Sequence, residues 1–192
     1  MSSKRLTVFA SGSGSNFKVL HQAALNGEIP ASITALVSDK PDCGAVTYAR
    51  SHGITIYLLT SMEMTASASR LKEILKHEAP DLIILAGYLR KIPDHIVDIY
   101  PDRIINIHPS LLPKYGGKGW YGHHVHRAVI ENNENESGCT VHYVNKVFDE
   151  GPIIAQERVT VNDDDTPESL AKKIQKKEHS LYPKVVRMLL SE

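Results

Sequence analysis

The chain has 192 residues, 22 of them basic and 22 acidic, and no apolar run near the roughly 20 residues of a membrane helix. That length supports one sizeable core rather than two full domains. The balanced charge leaves no bulk electrostatic case for nucleic acid or an acidic membrane, so the expected partners are small molecules, handled by a monomer or homodimer.

The opening Met1-Ser2-Ser3-Lys4-Arg5 leads into a strand-like run rather than a secretory apolar core. Cys43 and Cys139 stand far apart and make neither a disulfide framework nor a zinc site, so a cytoplasmic protein with reduced thiols is expected. Short apolar runs at 6–10, 33–38, 54–58, 81–86 and 103–108 read as strands. The run at 81–86 is the most continuous, as a strand covered on both faces should be. Helical patterns fill the gaps at about 15–27, 43–52, 63–78 and 93–100. In the first, Phe17, Leu20, Ala24 and Leu25 fall at helical spacing and Gly27 supplies a stop. The alternation predicts an α/β fold with a largely parallel sheet.

Past residue 109 the pattern changes. Residues 114–122 hold four glycines, two tyrosines and a tryptophan with almost no periodicity, which predicts a long loop of functional use. A helix over about 123–132 follows, then strands at 139–144 and 153–161 around the turn-prone Asp149-Glu150-Gly151-Pro152. Thr166-Pro167-Glu168 reads as cap, first-turn proline and acidic start of a last helix running to about 189.

Two segments carry chemistry. Gly12-Ser13-Gly14-Ser15-Asn16 lies between the first strand and first helix, where glycines let amides approach an anion and the helix dipole favours it. Phe17 stands where a dinucleotide fingerprint wants a small residue, and no P-loop lysine is present, so a single phosphate fits better. The alternative is an ordinary turn capped by Ser15 or Asn16. In the second segment, Asn106 and His108 lie two apart on a strand and share a side, ahead of Pro109 and Pro113. An amide donor beside a proton-carrying imidazole suits acyl transfer, with Asn106 steadying an oxyanion; both could equally be polar plugs at a strand end. Asp149, if brought beside His108, would favour the protonated imidazole; otherwise it is a turn aspartate. His123, His124 and His126 lack a companion ligand at metal spacing, so no metal is expected. Lys172, Lys173, Lys176 and Lys177 fit a solvated helix face opposite Ile174 and Leu181.

These segments, taken in order, resemble the phosphoribosylglycinamide formyltransferase family of folate enzymes. The matching pieces are Ser11-Gly12-Ser13-Gly14-Ser15-Asn16, Ala79-Pro80-Asp81 through Ala86-Gly87-Tyr88-Leu89-Arg90, and Asn106-Ile107-His108-Pro109-Ser110-Leu111-Leu112-Pro113-Lys114-Tyr115. Gly138-Cys139-Thr140-Val141-His142, Asp149-Glu150-Gly151-Pro152 and the stretch 175–183 complete the set. The resemblance implies one Rossmann-like domain with a mostly parallel seven-stranded sheet and helices on both faces.

It further implies formyl transfer from 10-formyltetrahydrofolate to the glycinamide amine of 5'-phosphoribosylglycinamide in purine (IMP) biosynthesis. The catalytic trio falls on Asn106, His108 and Asp149. The substrate phosphate falls on Gly14, Ser15 and Asn16, and the substrate's other contacts on Gln175, Lys176, Lys177 and Glu178, with Glu178 at the glycinamide end. The folate falls on Leu89, Arg90, Lys91 and Ile92, on Asn145, Lys146, Val147, Phe148 and Asp149, and on Asn106.

Three features depart from the family pattern. Many members carry a folate-side arginine near the stretch Met62-Glu63-Met64-Thr65, where this chain has Met64. The loop 116–122 is several residues longer than in shorter members, and the sequence stops soon after the last helix. A related tRNA formyltransferase would bring a further domain and basic surface, and a formyltetrahydrofolate hydrolase an N-terminal regulatory domain. A non-catalytic phosphometabolite binder would not need Asn106, His108 and Asp149.

Overall fold

The computed structural model describes residues 4–60 and 64–191, with side chains throughout except at 64–68. The stretch Met62-Glu63-Met64-Thr65 therefore falls outside the described side chains. Seven strands form one sheet in the order β3-β2-β1-β4-β5-β6-β7. They are β1 (Lys4–Phe9), β2 (Ala31–Ser38), β3 (Thr55–Leu58), β4 (Leu82–Leu85), β5 (Ile104–His108), β6 (Glu136–Tyr143) and β7 (Ile153–Thr160). The first five run parallel, and β6 and β7 are antiparallel to their neighbours.

Strand alternation sorts the apolar side chains into two cores. Leu6, Val8, Leu82, Ile84, Ile105 and Ile107 meet the helices α1 (Ser15–Leu25), α2 (Gly44–Ser51), α5 (His123–Glu131) and α6 (Pro167–Leu190). Phe9, Val37, Ile83, Leu85 and Ile104 meet α3 (Met64–Glu78) and α4 (Asp94–Ile99) on the other face. Every β4 side chain is buried, as its unbroken apolar run requires.

Element edges differ from the sequence reading where local chemistry decides. Helix α1 stops at Leu25 because Asn26 caps it and Gly27 takes the left-handed conformation, φ 76°. Strand β6 begins three residues early, at Glu136, because pairing with β7 reaches the polar Glu136-Ser137-Gly138 that no apolar pattern marks. The last helix starts as its sequence says: Thr166 accepts from the Ser169 amide and Ser169 returns a bond to the Thr166 amide.

Two buried polar contacts lock the sheet. At its N-terminal edge Glu78, almost fully buried, accepts from Arg5, Thr34 and Tyr57. At the opposite edge the Tyr182 hydroxyl, fully buried on α6, donates toward the carbonyls of Leu85 (2.9 Å) and Ile105 (3.3 Å). It ties α6 to β4 and β5, the strands that end in the cleft described below. Tyr182→Phe is expected to cost about 1–2 kcal/mol by stranding that hydrogen-bonding capacity. In urea unfolding the midpoint should fall with the slope unchanged.

Candidate active site

A cleft of about 720 Å³ opens over the C-terminal ends of β1, β4 and β5, where an α/β sheet offers loops and helix starts to a ligand. One end is the Gly12–Asn16 turn. Gly14 stands at the N-cap of α1 with φ 72°, and a Cβ there would come within 2.9 Å of Ala45. No side chain caps α1, so the expected alternative of a Ser15 or Asn16 cap is not what forms. The first-turn amides are left to an incoming anion. Helix α6 lies across this turn. Gln175 donates to the Ser15 hydroxyl (3.2 Å), and Asn16 donates to the Glu178 carboxylate (2.8 Å). Ala171, Ile174, Gln175 and Glu178 share the helix face that lines the cleft. Burial pushes the Glu178 carboxyl up to about 7, against the opposing hydrogen bond from Asn16.

The centre is built by strand register. Asn106 pairs directly with His142 across the β5–β6 ladder, and His108 with Thr140. Asp149 reaches the same point from the turn after β6, in the left-handed conformation (φ 57°). Gly151 makes that turn possible, since a Cβ there would lie 1.7 Å from the Tyr143 carbonyl. The Asp149 carboxylate lies 3.5 Å from His108 Nδ1 and 3.6 Å from His142 Nε2, and it accepts from Asn106 Nδ2 (3.5 Å) and the Gly117 amide (2.9 Å). Burial raises its pKa, but the two imidazoles and the Gly117 amide outweigh burial and hold it below the usual carboxylate value.

Two expectations change here. First, the His108 imidazole was expected in its protonated form. Burial lowers its pKa below the ordinary histidine value, and the Asp149 charge and Tyr115 carbonyl oppose that fall without reversing it. Its Nε2–H is given to the Tyr115 carbonyl at 2.7 Å. Second, Asn106 Nδ2 is already engaged, by His142 Nε2 (3.1 Å) as well as Asp149. An oxyanion would take over the longer contact to Asp149, the weaker of the two.

The third wall follows β4. Leu89, Arg90, Lys91 and Ile92 line it together with Asn145, Val147, Phe148 and Asp149. Leu89 and Val147 leave apolar surface exposed at the mouth. The Leu89 amide donates to the Ser11 hydroxyl, and Arg90 is fastened to Asp39 at 2.8 Å.

Three expected contact residues are not brought to the cleft. Lys146 pairs with Asp98 on the outside (2.7 Å). Lys176 and Lys177 sit on helix positions turned away from the Ala171–Glu178 face; Lys176 is exposed and Lys177 pairs with Glu157 on β7. Helical phase carries both away from the cleft wall. Among the described residues no cluster of three metal-ligating side chains occurs. His126 is buried in the cleft wall, where burial and neighbouring His123 and His108 lower its pKa to about 4.

A formyl transferase family model matches residues 4–186. The chain is 38% identical over 191 residues to the phosphoribosylglycinamide formyltransferase of Bacillus subtilis, spanning 97% of this chain and 95% of that one. This chain belongs to the phosphoribosylglycinamide formyltransferase family. It is also 44% identical over 193 residues to the chloroplastic enzyme of that name from Arabidopsis thaliana, covering 98% of this chain and 66% of the plant protein. The chain thus spans about two thirds of the plant relative's length. The crystal structure of phosphoribosylglycinamide formyltransferase from Bacillus halodurans superimposes with a TM-score of 0.91 at 38% identity, covering 98% and 96% of the two chains.

Several cleft residues of this family member escaped the sequence reading. His142 lies two residues beyond Thr140 on β6 and faces Asn106, with the same period-two spacing that pairs Asn106 with His108. Lys40 also lines the cleft, and only the tertiary arrangement brings it there; Ser11 flanks the glycine turn, and Trp120 and Tyr121 belong to the loop expected to be functional.

Two measurements follow from this geometry. Because the folded state holds the Glu178 proton up to about pH 7 and the unfolded chain releases it near 4.5, stability falls as pH rises through that window. Glu178→Gln should therefore be more stable than the parent at pH 8, by about 3 kcal/mol, with the gain vanishing below pH 4.5. Paired urea titrations at the two pH values test the sign. Gly151→Ala should displace Asp149 and destabilise the fold by about 1–3 kcal/mol, read from its melting curve.

Proposed function

We propose that this chain transfers the formyl group of 10-formyltetrahydrofolate to the glycinamide amine of 5'-phosphoribosylglycinamide, a step of purine synthesis. The observation that carries the reading is the meeting of Asn106, His108 and Asp149 midway between an uncapped helix start and a partly apolar wall. The ribonucleotide phosphate lies on Gly14, Ser15 and Asn16, with Gln175 and Glu178 beside the glycinamide arm. The folate lies along Leu89–Ile92 and Asn145–Asp149. The reduced thiols of Cys43 and Cys139 suit a cytoplasmic setting.

The amine nitrogen attacks the formyl carbon, and the carbonyl electron pair moves onto oxygen. Asn106 gives that oxygen a hydrogen bond as it releases Asp149. The attacking nitrogen becomes cationic and loses a proton to the His108–Asp149 couple. The imidazolium so formed has acceptors at both ring nitrogens, the Tyr115 carbonyl and the Asp149 carboxylate. Collapse breaks the carbon–N10 bond, and the couple returns the proton to the folate nitrogen. No nucleophilic side chain is needed, because the substrate brings its own amine.

Mixing the protein with 10-formyltetrahydrofolate and the ribonucleotide, or with water alone as acceptor, tests the reading. Deformylation should accelerate only with the ribonucleotide; equal rates without acceptor would replace transfer with hydrolysis. Asn106→Ala and His108→Ala should each lower kcat by roughly a hundredfold, about 3 kcal/mol, with little change in folate affinity. Asp149→Asn removes the charge that opposes the fall in His108 pKa. Its surviving activity should keep an acid limb shifted to lower pH, measurable in the pH–kcat profile.

A further inference from the structure

From the cleft's cations we infer that Lys40 is the side chain that binds the substrate phosphate ionically, opposite the α1 amides. The inference rests on the formyl-transfer reading of the same cleft and adds a residue and a charge to it. Four lysine and arginine side chains line the cleft: Lys40, Arg90, Lys91 and Lys118. Arg90 is committed to Asp39 at 2.8 Å, and Lys91 to Asp94 at 2.6 Å. Lys118 stands between two glycines of positive φ, Gly117 and Gly119, on the loop whose Gly117 amide is bound to Asp149. That attachment anchors its backbone beside Asp149.

Lys40 differs from the two paired cations in how its charge is met and from Lys118 in its anchoring. It is exposed, and among the described residues it has no ion-pair partner; the carboxylate beside it in sequence, Asp39, is taken by Arg90. Its backbone is held firmly, since the Ser38 hydroxyl bonds both the Lys40 amide and the Lys40 carbonyl (3.2 Å each). The segment that follows is packed onto the phosphate turn itself. The Ala45 amide donates to the Gly12 carbonyl (3.1 Å), and the missing side chain of Gly44 admits Ser13, whose carbonyl would lie 2.8 Å from a Cβ there. Lys40 and the turn thus form one rigid body around the anion.

The energetic need is plain. A phosphate monoester carries close to two negative charges at neutral pH. Amides and a helix start offer only partial charge, while the expected cations Lys176 and Lys177 point elsewhere. A flexible, hydrated ammonium on a fixed backbone meets a phosphate as a point charge.

The experiment compares wild type, Lys40→Met and Lys40→Arg on the glycinamide ribonucleotide and on its dephosphorylated riboside. Loss of a charge-assisted bond should raise the ribonucleotide KM roughly ten- to hundredfold, with kcat falling far less, and should shrink the preference for ribonucleotide over riboside by the same factor. Lys40→Arg should recover most of the loss, and the salt dependence of KM should flatten in Lys40→Met. An unchanged preference, or equal losses on both substrates, would overturn the inference. Ribose 5-phosphate binding by calorimetry separates the two levels: weakened binding in Lys40→Met supports the phosphate role even if no formyl transfer is found. Equal binding, or none to either protein, removes that role while leaving formyl transfer to its own assay.

Discussion

The Asp149 carboxylate is the group on which the centre of this molecule depends. It accepts from Asn106 and the Gly117 amide and lies within 3.6 Å of His108 and His142, so one residue joins two strands and the long loop. A nearly buried anion is costly unless it is met by donors, and here Asn106 and the Gly117 amide donate to it. Its backbone is left-handed at a non-glycine residue, a conformation held by the tight approach of Gly151 to Tyr143. Tyr115 is the counterpart across the site. It too has positive φ, its hydroxyl is held by Glu134 and Asn132, and its carbonyl fixes the His108 ring.

Around that point the cleft separates two kinds of recognition. The glycine turn, Gln175 and Lys40 form a polar end built from three segments in direct contact. The β4 exit and residues 144–149 form a more apolar wall, with exposed Leu89 and Val147 at its mouth. A ligand with an anionic end and a flat apolar end fits such a division, and Asn106, His108 and Asp149 lie where the two ends meet.

Burial tunes the two titrating groups in opposite directions. It lowers the His108 pKa and raises that of the Glu178 carboxyl to about 7, so the cleft pairs an imidazole that resists charging with a carboxyl that exchanges its proton near neutral pH. The same desolvation that makes both groups costly to charge when empty sharpens their response to a charged ligand.

The alternation of strands and helices, the glycine turn before Phe17, and the shared side of Asn106 and His108 were all legible in the sequence. Each is a short-range property: side chains alternate every residue on a strand and repeat every 3.6 residues on a helix. Sequence spacing left Asp149 undecided between turn and site, because the β5–β6 register and the Gly151 turn that bring it to His108 are long-range. Tertiary structure alone also set His142 opposite Asn106, turned Lys176 and Lys177 off the cleft, and brought Lys40 to the cleft wall. It decided the direction of the His108 pKa shift as well, since desolvation depends on everything packed around a ring and not on the residues beside it in the chain.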